Sequence, residues 1–196
     1  QQDLASTFAS LQPSIFLTET LTPPLRDLRP EVLAPITQAA REKKRVEICY
    51  SSLRNPKPEY RMIQPHTVIF NGHRWHVRAF CEQKMIYSDF VLSRISDKPE
   101  LTLVGDNTAE KDEAWQTIVD LDICPDPRLN TAQKALIARD YGMTDGVLKI
   151  STRGALVAYI LQNMRLEGKL ASTPPEVQQI FLQNRAKIKK WLFSQN

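Results

Sequence analysis

The feature that most constrains the fold is the dipeptide Asn71-Gly72, which lies between two runs rich in β-branched and aromatic residues. A type I′ turn needs positive φ at both central residues, and Asn and Gly adopt that conformation more readily than other residues. The pair therefore predicts a β-hairpin. A further run, from Tyr87 to Ile95, predicts that a third strand follows the hairpin.

The second arm of this hairpin has two kinds of side chain in alternation. Trp75, Val77 and Ala79 point to one side of a strand, and the side chains between them point to the other side. We expect the first set, Trp75 included, to lie in the core. The second set forms a cationic face that consists of Arg74, His76 and Arg78. This cationic face is where we expect functional residues.

The flanking sequence predicts a small β-domain with one leading helix. Arg29-Pro30-Glu31 predicts a helix start, because proline is favoured in the first turn and an acidic side chain there interacts well with the helix dipole. From Arg45 the pattern changes to a period of two, and Pro65 is expected to stop the second strand. Five short strands after one helix indicate a strongly bent, SH3-like or Sm-like barrel. We expect it to span residues 30–100, after an N-terminal arm at 1–29.

A second unit is expected over residues 115–196, after a linker at 101–114. Its sequence predicts strand, helix, strand and helix in turn, which is typical of a small α+β domain of the ferredoxin-like kind. Asn130 and Gln133 have the spacing of a capping box at the first of these helices. A second box, Thr173-Pro174-Pro175-Glu176, predicts a long final helix.

Composition restricts the possible classes of function. A net charge of +4 and a pI near 9.0 permit a polyanionic partner without demonstrating one. The sequence has no phosphate-binding loop, nucleophile elbow or metalloprotease motif, so we expect no enzyme activity, no catalytic residue and no cofactor. No apolar run approaches the roughly 20 residues of a membrane span, and three well-separated cysteines indicate reduced thiols in a cytoplasmic protein. Because the chain begins with Gln1 rather than Met, we expect further sequence upstream.

The candidate ligand residues are basic, hydroxyl and imidazole side chains of the expected barrel. Arginine can bind phosphate oxygens through two parallel hydrogen bonds, and aromatic or imidazole rings stack on bases. The candidate set consists of Tyr50, Ser52, Arg61, His66, His76, Arg78 and Arg94.

Two other interpretations of these side chains stay open. In one, the arginines are paired internally with neighbouring acids such as Asp89 or Glu59, and the face is only solvated. In the other, His66, His76 and Cys81 converge on a metal, although no carboxylate is spaced to orient them. We expect no metal site on this ground.

Four short segments resemble the WYL domain family. Trp75-His76-Val77 is similar to the Trp-Tyr-Leu signature, with His and Val in place of Tyr and Leu. Arg61–His66 resembles the family's segment before the signature, Phe90–Ile95 the segment after it, and Tyr50-Ser51-Ser52 the first strand. One departure is Ser88, which stands where the family usually has an arginine.

The form Trp-His-Val-Arg-Ala is similar to that of bacterial repressors that guard phage-defence islands of the BREX and related types. The resemblance implies the effector-sensing and dimerising part of a transcriptional regulator, with operator DNA bound by a winged helix-turn-helix upstream. Apolar residues near both termini, such as Phe8 and Trp191, also favour a homodimer. The expected effector is an anionic nucleotide or a short single-stranded nucleic acid, bound by the candidate residues. The alternative is a stand-alone module that binds single-stranded nucleic acid without switching.

Overall fold

The computed structural model describes residues 27–167 and 173–192, which form two antiparallel sheets with short helices. The N-terminal unit consists of α1 (Pro30–Arg41), β1 (Lys44–Tyr50), β2 (Glu59–Phe70), β3 (Trp75–Cys81), β4 (Ile86–Val91) and β5 (Glu100–Val104). A short 3-10 helix, Leu92–Arg94, follows β4. Within these residues, no helix has both the length and the apolar character needed to cross a membrane.

The N-terminal sheet is open, with its strands in the order β4-β3-β2-β1-β5. The predicted SH3-like or Sm-like barrel is therefore not closed, since within the described residues β4 and β5 each pair with only one strand of the sheet. Helix α1 begins at Pro30, as predicted, and packs on this sheet through Val32, Ile36 and Ala39, which recur at helical spacing. We call the sheet face beneath α1 the core face and the opposite one the outer face.

The strand boundaries differ from the prediction at two prolines. Strand β2 continues through Pro65 to Phe70, because a bulge between Pro65 and Thr67 interrupts the ladder next to the residue that lacks a backbone donor. The barrel was expected to end at residue 100, yet the sheet continues beyond Pro99. Pro99 directly precedes β5, which pairs with β1 and lies largely in the segment 101–114, where a linker was expected.

The predicted hairpin joins β2 and β3, but its turn is not of type I′. Phe70 pairs with Trp75, so four residues form the loop. Gly72 has a φ of 91°, whereas Asn71 is not among the residues with positive φ. Asn71 stabilises the turn through its side chain instead, because its Oδ1 accepts hydrogen bonds from the backbone N–H groups of His73 and Arg74.

Strand β3 has the predicted alternation, yet both of its faces are covered. Val77 and Ala79 are fully buried on the core face, and His76 and Arg78 are buried on the outer face. The placement of Trp75 in the core is wrong. The residue is 36% exposed because it is the first residue of the strand, next to the hairpin loop.

The C-terminal unit is α+β, as expected. It consists of α2 (Glu113–Gln116), β6 (Ile118–Pro125), α3 (Thr131–Asp140), β7 (Leu148–Arg153), α4 (Val157–Asn163), α5 (Pro175–Gln178) and β8 (Ile180–Leu182). The capping box of Asn130 and Gln133 forms at α3, as predicted. The sheet has the order β7-β6-β8, so the described residues supply three strands rather than the four of a ferredoxin-like fold.

The long final helix was predicted wrongly. Helix α5 ends at Gln178, because Gln179 has a φ of 59°, which an α-helix does not accommodate. Its N-cap residue forms no side-chain hydrogen bond, so the second capping box is also absent. Ile180–Leu182 then pairs with β6, since its side chains suit a strand. Trp191 packs against Gly154, where an added Cβ would lie 2.7 Å from the indole ring.

Candidate functional site

The outer face of the N-terminal sheet lies against helix α4 of the C-terminal unit. The rings of His76 on β3 and Tyr159 on α4 have centroids 5.0 Å apart. The Tyr159 hydroxyl donates a hydrogen bond of 2.7 Å to Asp89 Oδ2 on β4. One turn further along α4, Asn163 Nδ2 donates to the carbonyl oxygen of Asn71 in the hairpin loop. The two units are therefore joined by a polar contact over β3, β4 and the hairpin.

Arg78 lies in this contact and is paired with two carboxylates. Its Nε and Nη2 donate to the two carboxylate oxygens of Asp112 at 2.7 and 3.1 Å. Its Nη1 donates to Asp89 Oδ1 at 3.2 Å, and Asp89 is its direct neighbour in the β3–β4 register. The guanidinium is nearly buried, and these hydrogen-bonded pairs offset its removal from water. Internal pairing with Asp89, one of the two open interpretations, is what the structure shows for Arg78.

Asp112 connects three elements. It is the N-cap residue of α2, where its Oδ1 accepts a hydrogen bond from the backbone N–H of Trp115. Its Oδ2 lies 3.2 Å from Nε2 of His66 on β2. Burial raises the pKa of Asp112, but hydrogen bonds from His66 and Arg78 outweigh burial and hold the pKa well below its ordinary value. An ionised carboxylate only accepts hydrogen bonds, so Nε2 of His66 carries the proton.

His76 is neutral at neutral pH in this environment. Burial is the main cause that lowers its pKa to about 4; Asp89 opposes this effect, and Arg74 and Arg94 add to it. Its Nδ1 is buried and has no hydrogen-bond partner in the part of the chain that the structure describes. An unsatisfied buried nitrogen costs about 1–3 kcal/mol, so this atom is suited to a hydrogen bond from a bound molecule.

Arg74 and Arg94 are cations of this region for which residues 27–167 and 173–192 supply no acidic partner. Both residues are half-buried, and neither guanidinium forms an ion pair or a hydrogen bond with the described residues. Both are close enough to His76 to lower its pKa. Two unpaired guanidinium groups next to an unsatisfied imidazole nitrogen have the chemistry of an anion site.

Two of the other predicted site residues lie apart from this group. Tyr50 is buried in the core beneath α1, where its ring contacts that of Phe90 and its hydroxyl accepts a hydrogen bond from the backbone N–H of Val91. Ser52 lies in the loop between β1 and β2, and its Oγ accepts a hydrogen bond from the backbone N–H of Asn55. Both hydroxyl groups therefore have local structural partners.

Arg61 also lies apart, since it stands opposite Ile48 in the register of β1 and β2 and so shares the core face with it. Its Nη2 forms an ion pair of 2.9 Å with Glu59. Ser88, at the position of the family arginine, stands opposite Ala79 and also belongs to the core face. Of the seven candidates, the structure thus brings together His66, His76, Arg78 and Arg94.

The metal interpretation does not fit the strand geometry. Cys81 is fully buried in the core beneath α1, whereas His76 lies on the outer face of the same strand. These two side chains therefore cannot converge on one ion with His66. Among residues 27–167 and 173–192, no cluster of three His, Cys, Asp or Glu is placed to hold a metal.

Asp112 and Tyr159 both contact the candidate group, although neither was among the residues predicted from the sequence. Asp112 lies 34 residues from Arg78, and Tyr159 lies 70 residues from Asp89, so no local pattern connects either pair. One signal was available: Asp112 precedes Glu113 and Trp115 with the spacing of a helix N-cap, although it was assigned to a linker. That signal predicts the cap but not the contact with Arg78.

The chain is similar to curated bacterial repressors over most of its length. It is 37% identical over 164 residues to the DNA-binding transcriptional repressor CapW of Pseudomonas aeruginosa, covering 84% of this chain and 54% of that protein. CapW of Stenotrophomonas maltophilia is 29% identical over 185 residues, covering 94% and 61% respectively. The chain thus spans little more than half the length of these curated relatives.

Among solved structures, Proteasome accessory factor B/C (PafBC) of Arthrobacter aurescens aligns with 85% of this chain and 27% of its own, at 19% identity. The TM-score of 0.35 is too low to assign the fold.

Family models match the two units separately. The WYL domain matches residues 31–98, and the model for the BrxR transcriptional regulator, C-terminal dimerization domain, matches residues 118–188. Residues 31–98 therefore belong to the WYL domain family, and residues 118–188 to the family of BrxR C-terminal dimerization domains.

Proposed function

We propose that this chain is the effector-sensing and dimerising part of a bacterial transcriptional repressor associated with phage defence. The proposal is supported by the order of the WYL and dimerization domains and by relatives named as DNA-binding transcriptional repressors. Those names describe regulators rather than enzymes, in agreement with a sequence that lacks catalytic motifs. In this proposal, a winged helix-turn-helix outside these 196 residues contacts operator DNA, and the chain forms a homodimer.

The proposed effector is an anionic nucleotide or a short single-stranded nucleic acid. The observation that carries this proposal is the pair Arg74 and Arg94, two half-buried guanidinium groups without an acidic partner among the described residues. A phosphate bound there receives charge-assisted hydrogen bonds, which are about twice as strong as neutral ones. Nδ1 of His76 supplies a further hydrogen-bonding atom nearby.

The ligand residues of this proposal are therefore a revised set. His76, Arg78 and Arg94 keep the role predicted from sequence, and Arg74 is added. Nε2 of His66 donates to Asp112, so His66 is available to the effector only when Asp112 has left. Ligand contacts by Tyr50, Ser52 and Arg61 stay predictions. These contacts would require the effector to bind at a second place, away from the outer face of the sheet.

One observation favours the alternative of a stand-alone module that binds single-stranded nucleic acid. Phe70 and Trp75 are both partly exposed beside the hairpin loop, and their ring centroids are 4.9 Å apart. Exposed aromatic pairs next to a cation such as Arg74 serve as stacking surfaces for bases. This surface needs no coupling to the C-terminal unit, so it would bind without switching.

Fluorescence anisotropy with a labelled oligothymidylate of about 12 nucleotides, a length in the usual range for such sites, tests the proposed ligand site. Arg94→Ala should weaken binding about tenfold, because one charge-assisted contact to phosphate is worth about 1.5 kcal/mol. The matched control is Arg139→Ala, which removes an exposed arginine of α3. Competition by mononucleotides shows whether the effector is a nucleotide or a longer chain. Equal binding by the two variants would contradict the site.

A further inference from the structure

We propose that Asp112 occupies the place of a ligand oxyanion on Arg78, and that the effector acts by displacing it. The inference rests on the proposed function, because it concerns the same outer-face site. It adds the ligand group, a phosphate, and the way in which binding is transmitted to the C-terminal domain.

The geometry of the Arg78–Asp112 contact is that of an anion held by a guanidinium. Two nitrogens of Arg78 donate to two oxygens of Asp112 at 2.7 and 3.1 Å, and Nε2 of His66 donates to one of these oxygens at 3.2 Å. A phosphodiester likewise presents two oxygens that share a negative charge, and so fits the same three donors. Asp112 is ionised at physiological pH, so it can leave by displacement and not by protonation.

Arg78 keeps a partner when Asp112 leaves. Its third nitrogen donates to Asp89 Oδ1 at 3.2 Å, and Asp89 is held in turn by the Tyr159 hydroxyl. A buried arginine left without any acid would be strongly destabilising. The second carboxylate therefore makes the exchange of Asp112 for phosphate feasible without leaving an unpaired cation in the contact.

Asp112 is also positioned so that its release from Arg78 would affect the C-terminal unit. It caps α2, and α2 leads within two residues into β6, the central strand of the C-terminal sheet. The ring of Trp115 on α2 lies between His66, at 5.4 Å, and the guanidinium of Arg153 on β7, at 4.8 Å. Loss of the Asp112 contact would thus leave α2 held to the N-terminal sheet only through the ring contact of Trp115 with His66, while α2 stays attached to the C-terminal sheet.

The test compares two substitutions that remove the same charge. Asp112→Asn keeps a good N-cap side chain but weakens the hold on Arg78. Asp126→Asn is the control, because Asp126 is fully buried and is paired through both oxygens with Arg128. Asp112→Asn should bind the labelled oligothymidylate about tenfold more tightly than the wild type. This is the gain expected if Asp112 leaves the site open in about a tenth of the wild-type molecules and the substitution opens it in nearly all of them. Asp126→Asn should stay within about twofold.

Two further measurements keep the outcome clear. Adding Arg78→Ala to Asp112→Asn should abolish the gain in affinity, because the phosphate would have lost its guanidinium. In the wild-type protein, oligothymidylate should accelerate hydrogen exchange at the Trp115 amide, which donates to the backbone carbonyl of Asp112 at 3.0 Å and to its Oδ1 at 3.3 Å, because both bonds depend on the turn that Asp112 caps. This second measurement needs no variant and so holds even where Asp112→Asn fails to fold.

The outcomes separate the two claims. One outcome is that Asp112→Asn binds oligothymidylate as tightly as the wild type does, and that oligothymidylate leaves hydrogen exchange at the Trp115 amide unchanged. This result overturns the displacement of Asp112 but not the proposed function. A gain that persists without Arg78, or that Asp126→Asn reproduces, also overturns it, because net charge then explains the effect. Absence of oligothymidylate binding by the wild type and by Asp112→Asn overturns both the inference and the nucleic-acid form of the proposed function.

Discussion

On strand β3, removal of the Arg78 side chain is expected to cost more stability than removal of the Trp75 side chain. Arg78→Ala leaves the carboxylates of Asp89 and Asp112 without their shared cation, and breaking a buried pair in this way costs about 3–5 kcal/mol. Trp75→Ala, on the same strand, should cost less than the roughly 3 kcal/mol of a fully buried ring, since the residue is 36% exposed. Urea unfolding measures both variants. A larger loss in Trp75→Ala than in Arg78→Ala would contradict this assignment.

His76 should make folding stability depend on pH below its ordinary pKa. Its pKa is about 4 in the folded chain against an ordinary 6.5, so between these values the unfolded chain binds a proton that the folded chain does not. The stability is therefore complete above pH 6.5 and falls as the pH decreases toward 4, by about 2 kcal/mol.

His76→Gln tests this pH dependence, because glutamine has no ionisable group. Between pH 7 and pH 4.5, the free energy of unfolding should decrease by about 2 kcal/mol less in the variant than in the wild type. Chemical denaturation at a series of pH values gives both profiles. Parallel profiles would show that His76 is not the group responsible.

At the scale of elements, local signals were enough to predict some structures and not others. The hairpin at Asn71-Gly72 and the helix capped by Asn130 depend on interactions within a few residues, so the sequence indicates them directly. Strand β8 depends on pairing with β6, and Gln179 adopts a positive φ that its residue type does not predict. The final segment therefore has a helical pattern but not a helical structure.

The candidate site shows the same division. Alternation along β3 correctly placed His76 and Arg78 on one face, because side chains of a strand alternate whatever covers them. It could not indicate that the start of α2 and the side of α4 lie over this face, since those contacts join residues distant in sequence. Arg61 and Tyr50 were grouped with the site by residue type, and the strand register separates them from it.

For the whole molecule, the matched dimerization domain supports a homodimer. The N-terminal apolar residues that also favoured one, Phe8 among them, lie outside the described residues. The contact between α4 and the outer face joins the proposed effector site to the unit that matches the dimerization domain. In the proposed homodimer, an effector that changes this contact can change the arrangement of the two proposed DNA-binding domains, provided that it binds the two arrangements with different affinity.

The operator affinity of the full-length protein, measured with and without oligothymidylate, tests the central claim most directly. The DNA is the region upstream of its own gene, and Arg94→Ala in the full-length protein is the control. The account predicts that saturating oligonucleotide changes the operator affinity of the wild type by about fivefold or more, a typical allosteric coupling, and changes that of Arg94→Ala much less. An operator affinity that stays the same at saturating oligonucleotide would contradict effector sensing by this chain.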